Sequence, residues 1–209
     1  SLETEEHVIR TVATDGHRLA LATLDYDVAT LPARQVIIPR KGVLEIIRLI
    51  DYNDTLIKVQ IGSNHIRIFS TDFIFTSKLV DGRFPDYRRV LPKGSDKAVW
   101  SSRELLKAAF SRAMILSNEK FKGVRLNLAS GELKITANNP EQEQAEEVVD
   151  VNYEGEDLEI GFNVAYLIDV LNVLNSENVI FNLSDANASA LIHAEGDESA
   201  LYVIMPMRL

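Results

Sequence analysis

One pattern occurs three times along this chain, and it constrains the fold more than any other feature of the sequence. Each copy reads as a short strand, one amphipathic helix and then three strands. The first covers residues 35–79, with a strand over 35–39, a helix from about Arg40, and strands over 56–61, 65–69 and 73–79. The second covers 97–153, with a strand over 98–100, a helix over 102–116, and strands over 123–128, 132–137 and 145–152. The third begins at Asp157, with a strand over 158–162, a helix over 163–174, and strands over 178–183, 189–194 and 201–205. A period of roughly 50–60 residues means one supersecondary unit stacked on copies of itself. Such a chain is built as a scaffold that presents a surface, rather than as an enzyme closed around one cleft.

The helices are read from their spacing. Val43, Ile46, Ile47 and Ile50 fall at i, i+3, i+4 and i+7, and Leu167, Val170, Leu171 and Leu174 repeat that spacing. Leu105, Leu106, Ala109, Phe110, Ala113 and Met114 form a broader stripe. Each set marks one face of a 3.6-residue period. Ser101-Ser-Arg-Glu104 reads as a capping box, in which each side chain satisfies a backbone N–H at the helix start. Asn163 is a good N-cap for the third helix. Apolar Val124, Leu126 and Leu128 alternate with Arg125 and Asn127, as on a sheet with one face buried. The expected fold class is therefore α+β, with helices on one face and antiparallel sheets on the other.

The turn-rich stretch Leu91-Pro-Lys-Gly-Ser-Asp96 is the expected linker. It divides the chain into domains over 1–90 and 97–209, with the linker over 91–96. The second part holds two units. The first holds one, preceded by two strands over 8–14 and 18–24, and the opening Ser-Leu-Glu-Thr carries no initiator Met. A fragment of a longer protein is the expectation.

At 209 residues and 46% hydrophobic, the chain can bury a sizeable core. It has no cysteine, which excludes disulfides and cysteine metal sites and fits a reducing, cytoplasmic setting. No apolar run approaches the roughly 20 residues that cross a bilayer, so no membrane partner is expected. The net charge of −9 argues against a protein that grips nucleic acid. Its distribution is uneven. Acidic residues cluster over 3–6, 141–147 and 195–198, whereas Arg40, Lys41, Arg103 and Lys107 lie at helices.

Catalytic candidates are few. Asp15-Gly-His17 invites an acid–base or metal reading, but Asp-Gly between two strands is a hairpin signal. His7, His65 and His193 lack metal-type spacing. Glu146 and Glu147 are adjacent on a strand, so their side chains point to opposite faces. No nucleophile, base and orienter are recognisable, and no cofactor is expected. The C-terminal Leu201-Tyr-Val-Ile-Met-Pro-Met-Arg-Leu209 is apolar beyond what one buried strand requires. Methionines there suit an adaptable docking surface as well as a core.

Thr11-Val-Ala-Thr-Asp-Gly-His-Arg-Leu19, Pro39-Arg-Lys-Gly42, Asp81-Gly-Arg-Phe-Pro-Asp-Tyr-Arg-Arg-Val90, Ser117-Asn-Glu-Lys-Phe121, Lys134-Ile-Thr-Ala-Asn-Asn-Pro-Glu141 and Tyr202-Val-Ile-Met-Pro-Met-Arg-Leu209 closely resemble the bacterial sliding clamp, the beta subunit of DNA polymerase III. The matches run in order over essentially the whole chain. The resemblance implies most of a middle clamp domain and all of a last one. It also implies a processivity factor for DNA replication, not an enzyme, whose full-length homodimer encircles duplex DNA without reading its sequence. DNA polymerase III, clamp-loader subunits and other proteins would dock through a short linear peptide. The alternative is a ring-deficient module that binds peptides without retaining DNA.

The resemblance also implies site residues. Peptide-binding positions would be Thr14, Gly16, His17, Arg18 and Leu19 from the first hairpin, with Pro85, Arg89 and Val90 before the linker. Asn163 and Tyr166 would join them from the last helix. Val203, Met205, Pro206, Met207, Arg208 and Leu209 would complete the pocket. Phe121 and Ser189 are further candidates. Arg40, Lys41, Arg103 and Lys107 would face DNA, while Ile115 and Leu116 would match the subunit interface.

Overall fold

The computed structural model describes residues 1–50 and 56–208. The chain divides into two compact bodies, one of Ser1–Val12 with Thr23–Asp86, the other of Ala13–Ala22 with the chain from Tyr87 on. Strands in both pair antiparallel, and the architecture is α+β.

The opening strands are β1 (Leu2–Glu6), β2 (Val8–Thr14), β3 (Arg18–Asp25) and β4 (Leu31–Val36). In the first body β1 lies between β2 and β4. The sequence pattern starts its strands at residue 8, and the acidic 3–6 run reads as loop or strand end. The structure corrects this: ladder bonds on both sides make the run a strand. Glu3 is buried there and accepts a 2.7 Å hydrogen bond from Gln35 Nε2. The strand expected over 35–39 is displaced too, because β4 ends at Val36 and Ile37 makes an isolated bridge to Val80.

Helix α1 (Arg40–Leu49) follows Pro39, which has no side chain able to cap it. Strands β5 (Lys58–Ile61), β6 (His65–Phe69) and β7 (Ile74–Lys78) form a second sheet with β6 in the middle. A Cβ at Gly42 would lie 2.9 Å from Ser77 Oγ, so glycine is what lets α1 approach β7. The apolar stripe exists as expected but remains accessible, with Val43 at 39% and Ile47 at 55% exposure.

After its 13–22 segment, the second body resumes at a 3-10 turn, Tyr87–Arg89, which no periodicity announces. Its first repeat is β8 (Lys97–Ser102), α2 (Arg103–Ile115), β9 (Gly123–Ala129), β10 (Glu132–Asn138) and β11 (Gln144–Asp150). Its second is β12 (Leu158–Asn163), α3 (Val164–Val173), β13 (Asn178–Leu183), β14 (Ala190–Ala194) and β15 (Asp197–Ile204). The repeats exchange their first strands. β12 completes the β11-β10-β9 sheet, and β8 completes the β15-β14-β13 sheet. Residues 18–22 of β3 extend the latter by pairing with β15.

Helices α2 and α3 pack on each other and on the sheets. Leu106, Phe110, Leu167 and Leu171 are at most 1% exposed, and burying each such side chain stabilises by about 1.5–3 kcal/mol. The α2 cap lies one residue beyond the expected Ser101. Ser102, not Ser101, accepts the Leu105 N–H at 3.4 Å, while Ser101 is buried in β8 opposite Val179. Glu104 pairs with Arg103 rather than closing a capping box. Asn163 caps α3 as anticipated, accepting the Ala165 N–H at 2.9 Å. The opposite-face expectation for the adjacent glutamates also holds: Glu146 meets Lys134 at 2.8 Å and Glu147 meets Arg112 at 2.7 Å.

Candidate functional site

Asp15-Gly-His17 forms a turn, within the second body, that side chains build as much as backbone. Asp15 Oδ1 accepts the N–H groups of His17 and Arg18 at 3.0 and 3.1 Å. Thr14 Oγ1 donates to the Arg18 carbonyl at 2.8 Å and accepts the Gly16 N–H at 3.2 Å. Gly16 has a φ of +89°, in the region glycine enters at no steric cost. Burial pushes the Asp15 carboxyl up, but the His17 N–H, the Arg18 side chain and the Arg18 N–H outweigh it and hold it below its ordinary value.

Arg18 joins this turn to α3. Its Nε lies 3.0 Å from Asp15 Oδ2, its Nη1 2.6 Å from Asp169 Oδ2, and its guanidinium carbon 4.2 Å from the centroid of the Tyr166 ring. Burial alone would lower the Arg18 pKa, yet the two carboxylates raise it. The C-terminal segment then crosses the same region. Met205 N–H donates to His17 O and Met207 N–H to Gly161 O, each at 2.9 Å. Ile204 ends β15, so the methionine-rich tail is a strap tied to the hairpin on one side and to β12 on the other.

The structure thus brings Thr14, Gly16, His17, Arg18, Tyr166, Met205 and Met207 into one connected surface. Leu19 and Val203 face each other across the β3–β15 ladder but are 4% and 1% exposed, so they support the surface from beneath. Asn163 spends its side-chain oxygen on the α3 cap. Pro206 and Met207 are half-buried, Met205 and Arg208 are exposed, and Leu209 lies outside the described residues. Arg89 and Val90 line a cavity of about 450 Å³ together with Ser189. Pro85 belongs to the first body. Phe121 is 55% exposed and lies beside Lys120.

The basic candidates are not alike. Arg40 and Lys41 are exposed at the start of α1, and Lys107 is half-buried on α2. Arg103 is 21% exposed and is committed to protein groups, donating from Nη1 to the Leu171 carbonyl at 3.1 Å and pairing with Glu104. Ile115 is 76% exposed at the end of α2, and Leu116 is half-buried. Two participants escaped the sequence reading as site residues, Asp169 and the Gly161 carbonyl. Asp169 is 151 residues from its partner Arg18, and no local spacing announces such a pair.

Among the described residues, no group of three or more His, Cys, Asp or Glu is placed to hold a metal ion. The fold is that of a repeat-built α+β chain carrying an exposed hairpin, an adjacent aromatic and a methionine strap. Comparison with known proteins gives its family. Residues 1–86 match the family model of the DNA polymerase III beta subunit central domain, and residues 88–208 that of its C-terminal domain. The chain belongs to the DNA polymerase III beta subunit family. It is 61% identical over 208 residues to the beta sliding clamp of Proteus mirabilis, covering 99% of this chain and 56% of that protein. It is 59% identical over 207 residues to that of Escherichia coli K12, covering the same shares. A crystal structure of the Pseudomonas aeruginosa beta subunit matches it with a TM-score of 0.97 at 56% identity, over 100% of this chain and 57% of that one. The chain therefore spans a little over half the length of the relatives it matches.

Proposed function

We propose that this chain supplies the partner-docking part of a DNA-replication processivity clamp. In this reading residues 1–90 are a middle clamp domain, 91–96 a linker and 97–209 a C-terminal clamp domain. The complete protein is a cytoplasmic homodimer that encircles duplex DNA without catalysing a reaction. DNA polymerase III, clamp-loader subunits and other partners dock on it through a short peptide. Family membership supports the clamp, and a Pseudomonas aeruginosa relative has been crystallised bound to griselimycin. Among the described residues, no helix is long and apolar enough to cross a membrane.

The observation that carries peptide docking is the strap, because Met205 is held by His17 at an exposed edge while its backbone bond keeps it in register with the hairpin. Methionine side chains adapt to apolar ligands of different shape. A peptide of the Gln-Leu-x-Leu-Phe kind would bury a Leu and a Phe, each contributing about 1.5–3 kcal/mol. Ordering the peptide offsets much of this, so affinity should be about micromolar. Titration of that peptide against the parent and a folded Met205→Ala variant is the test. Equal binding by the two would overturn the assignment of Met205.

The net charge of −9 and the internal pairing of Arg103 favour a second reading for the chain by itself, as a peptide-binding module that does not retain DNA. Retention on circular against linear duplex separates the two. The DNA-facing roles of Arg40, Lys41 and Lys107 and the interface role of Ile115 and Leu116 belong to the ring reading.

A further inference from the structure

Helix α3 carries no Lys or Arg, and Asp169 is its one charged residue. In the fold Asp169 and Tyr166 are three residues apart and share one face. Together they offer a carboxylate and an aromatic face to a planar cation. Arg18 fills that seat, 2.6 Å from Asp169 Oδ2 and 4.2 Å from the Tyr166 ring centroid. The main chain of Arg18 is equally placed. It stands opposite Ile204 in the β3–β15 ladder, and the preceding carbonyl, His17 O, accepts the Met205 N–H at 2.9 Å. A path of direct contacts therefore runs from α3 through Arg18 and His17 to Met205.

Asp15 also pairs with Arg18, but it belongs to the same turn and moves with it. Asp169 belongs to a helix whose Val164, Leu167, Val170 and Leu171 are buried in the core. It is the carboxylate that refers the turn to a fixed frame.

We propose that Asp169 is a positioning residue for the docking surface: by seating Arg18 against Tyr166 it fixes the His17 carbonyl, and through that carbonyl it fixes Met205 where a partner peptide engages. The inference rests on the peptide-docking reading above. It differs from that reading in placing a determinant on a residue that need not touch the peptide.

The pair is partly exposed, at 36% for Arg18 and 59% for Asp169, so its effect is modest. Asp169→Ala should weaken binding of the Gln-Leu-x-Leu-Phe peptide by about two- to fivefold, within the range of an exposed ion pair. Arg18→Ala should do at least as much, and the double variant should be no weaker than Arg18→Ala alone. Asp169→Glu should restore most of the loss. In Asp169→Ala the Met205 amide, bonded to the His17 carbonyl, should lose protection against exchange with solvent. Circular dichroism checks folding, and Asp169→Asn, which keeps the volume, carries the test if the alanine variant is unfolded. If the parent binds and Asp169→Ala binds equally well, the proposal is overturned. If the parent does not bind, the docking reading fails instead. The exchange of the Met205 amide then decides the positioning role, and unchanged protection in Asp169→Ala refutes it.

Discussion

Arg103→Ala separates a structural role from a phosphate-facing one. Leu171 lies in the last turn of α3, where carbonyls have no donor four residues on, and a cation there also opposes the negative end of the helix dipole. Arg103 Nη1 supplies the missing donor at 3.1 Å from a side chain only 21% exposed. A hydrogen bond from a charged donor stabilises by about 1.5–3 kcal/mol net. The pair with Glu104, which is 67% exposed, adds about 0–1 kcal/mol at most. Truncation to alanine should therefore cost about 2 kcal/mol, and at about 2–4 °C per kcal/mol for a chain of this size the midpoint should fall by about 4–8 °C. Arg103→Lys keeps the charge on a shorter reach and should recover part of the loss. The assay is thermal and urea unfolding followed by the fluorescence of Trp100, the single tryptophan, which lies in β8 of the same body. The midpoint should shift with the slope unchanged. A variant within about 0.5 kcal/mol of the parent, the range of an ordinary surface change, would refute the structural role. If such a variant also lost about one phosphate contact from the salt dependence of DNA binding, Arg103 would be a DNA residue after all.

Further outcomes follow from the same geometry. Gly16→Ala should cost about 1 kcal/mol, because the φ of +89° disfavours a Cβ although open space surrounds it; a loss above about 3 kcal/mol in the urea assay would mean a steric contact. The Asp15 carboxyl is held below its ordinary 3.8 in the folded state, so its contribution is complete above that value and disappears as pH falls through the folded one. The stability gap between parent and Asp15→Asn should accordingly be present near neutrality and close below about pH 4, and a gap that widens on acidification would contradict the sign. Ile115→Ser should change stability by less than about 0.5 kcal/mol, since the side chain is 76% exposed. Sedimentation of this chain should show mainly monomer at micromolar concentration, and a stable dimer lost on Ile115→Ser would place Ile115 in a contact between copies.

The repeat, the three helices and the hairpin turn are legible from the residues alone. Each rests on local chemistry: Leu167, Val170 and Leu171 mark a buried face at helical spacing, Asn163 caps, and Asp15-Gly16 turns the chain. β1 was illegible because Glu3, Glu5 and Glu6 look like solvated loop, and only pairing with β2 and β4 makes them a strand. The cap moved from Ser101 to Ser102 because the β8–β13 ladder runs through to Ser102, opposite Asn178, before the helix starts. The exchange of first strands between repeats was hidden as well, since every strand alternates the same way whichever sheet it joins.

The site divides along the same line. Resemblance pointed to the hairpin, Tyr166 and the methionine tail, but their connection is tertiary. Arg18 meets Asp169 across 151 residues, and Met207 meets Gly161 through backbone atoms that every residue carries. Arg103 shows the reverse, a basic helix residue whose charge the sequence leaves free and whose fold spends it on the end of α3. Spacing along a chain fixes which face of an element a side chain occupies. Which cation meets which carboxylate is decided only when two elements pack.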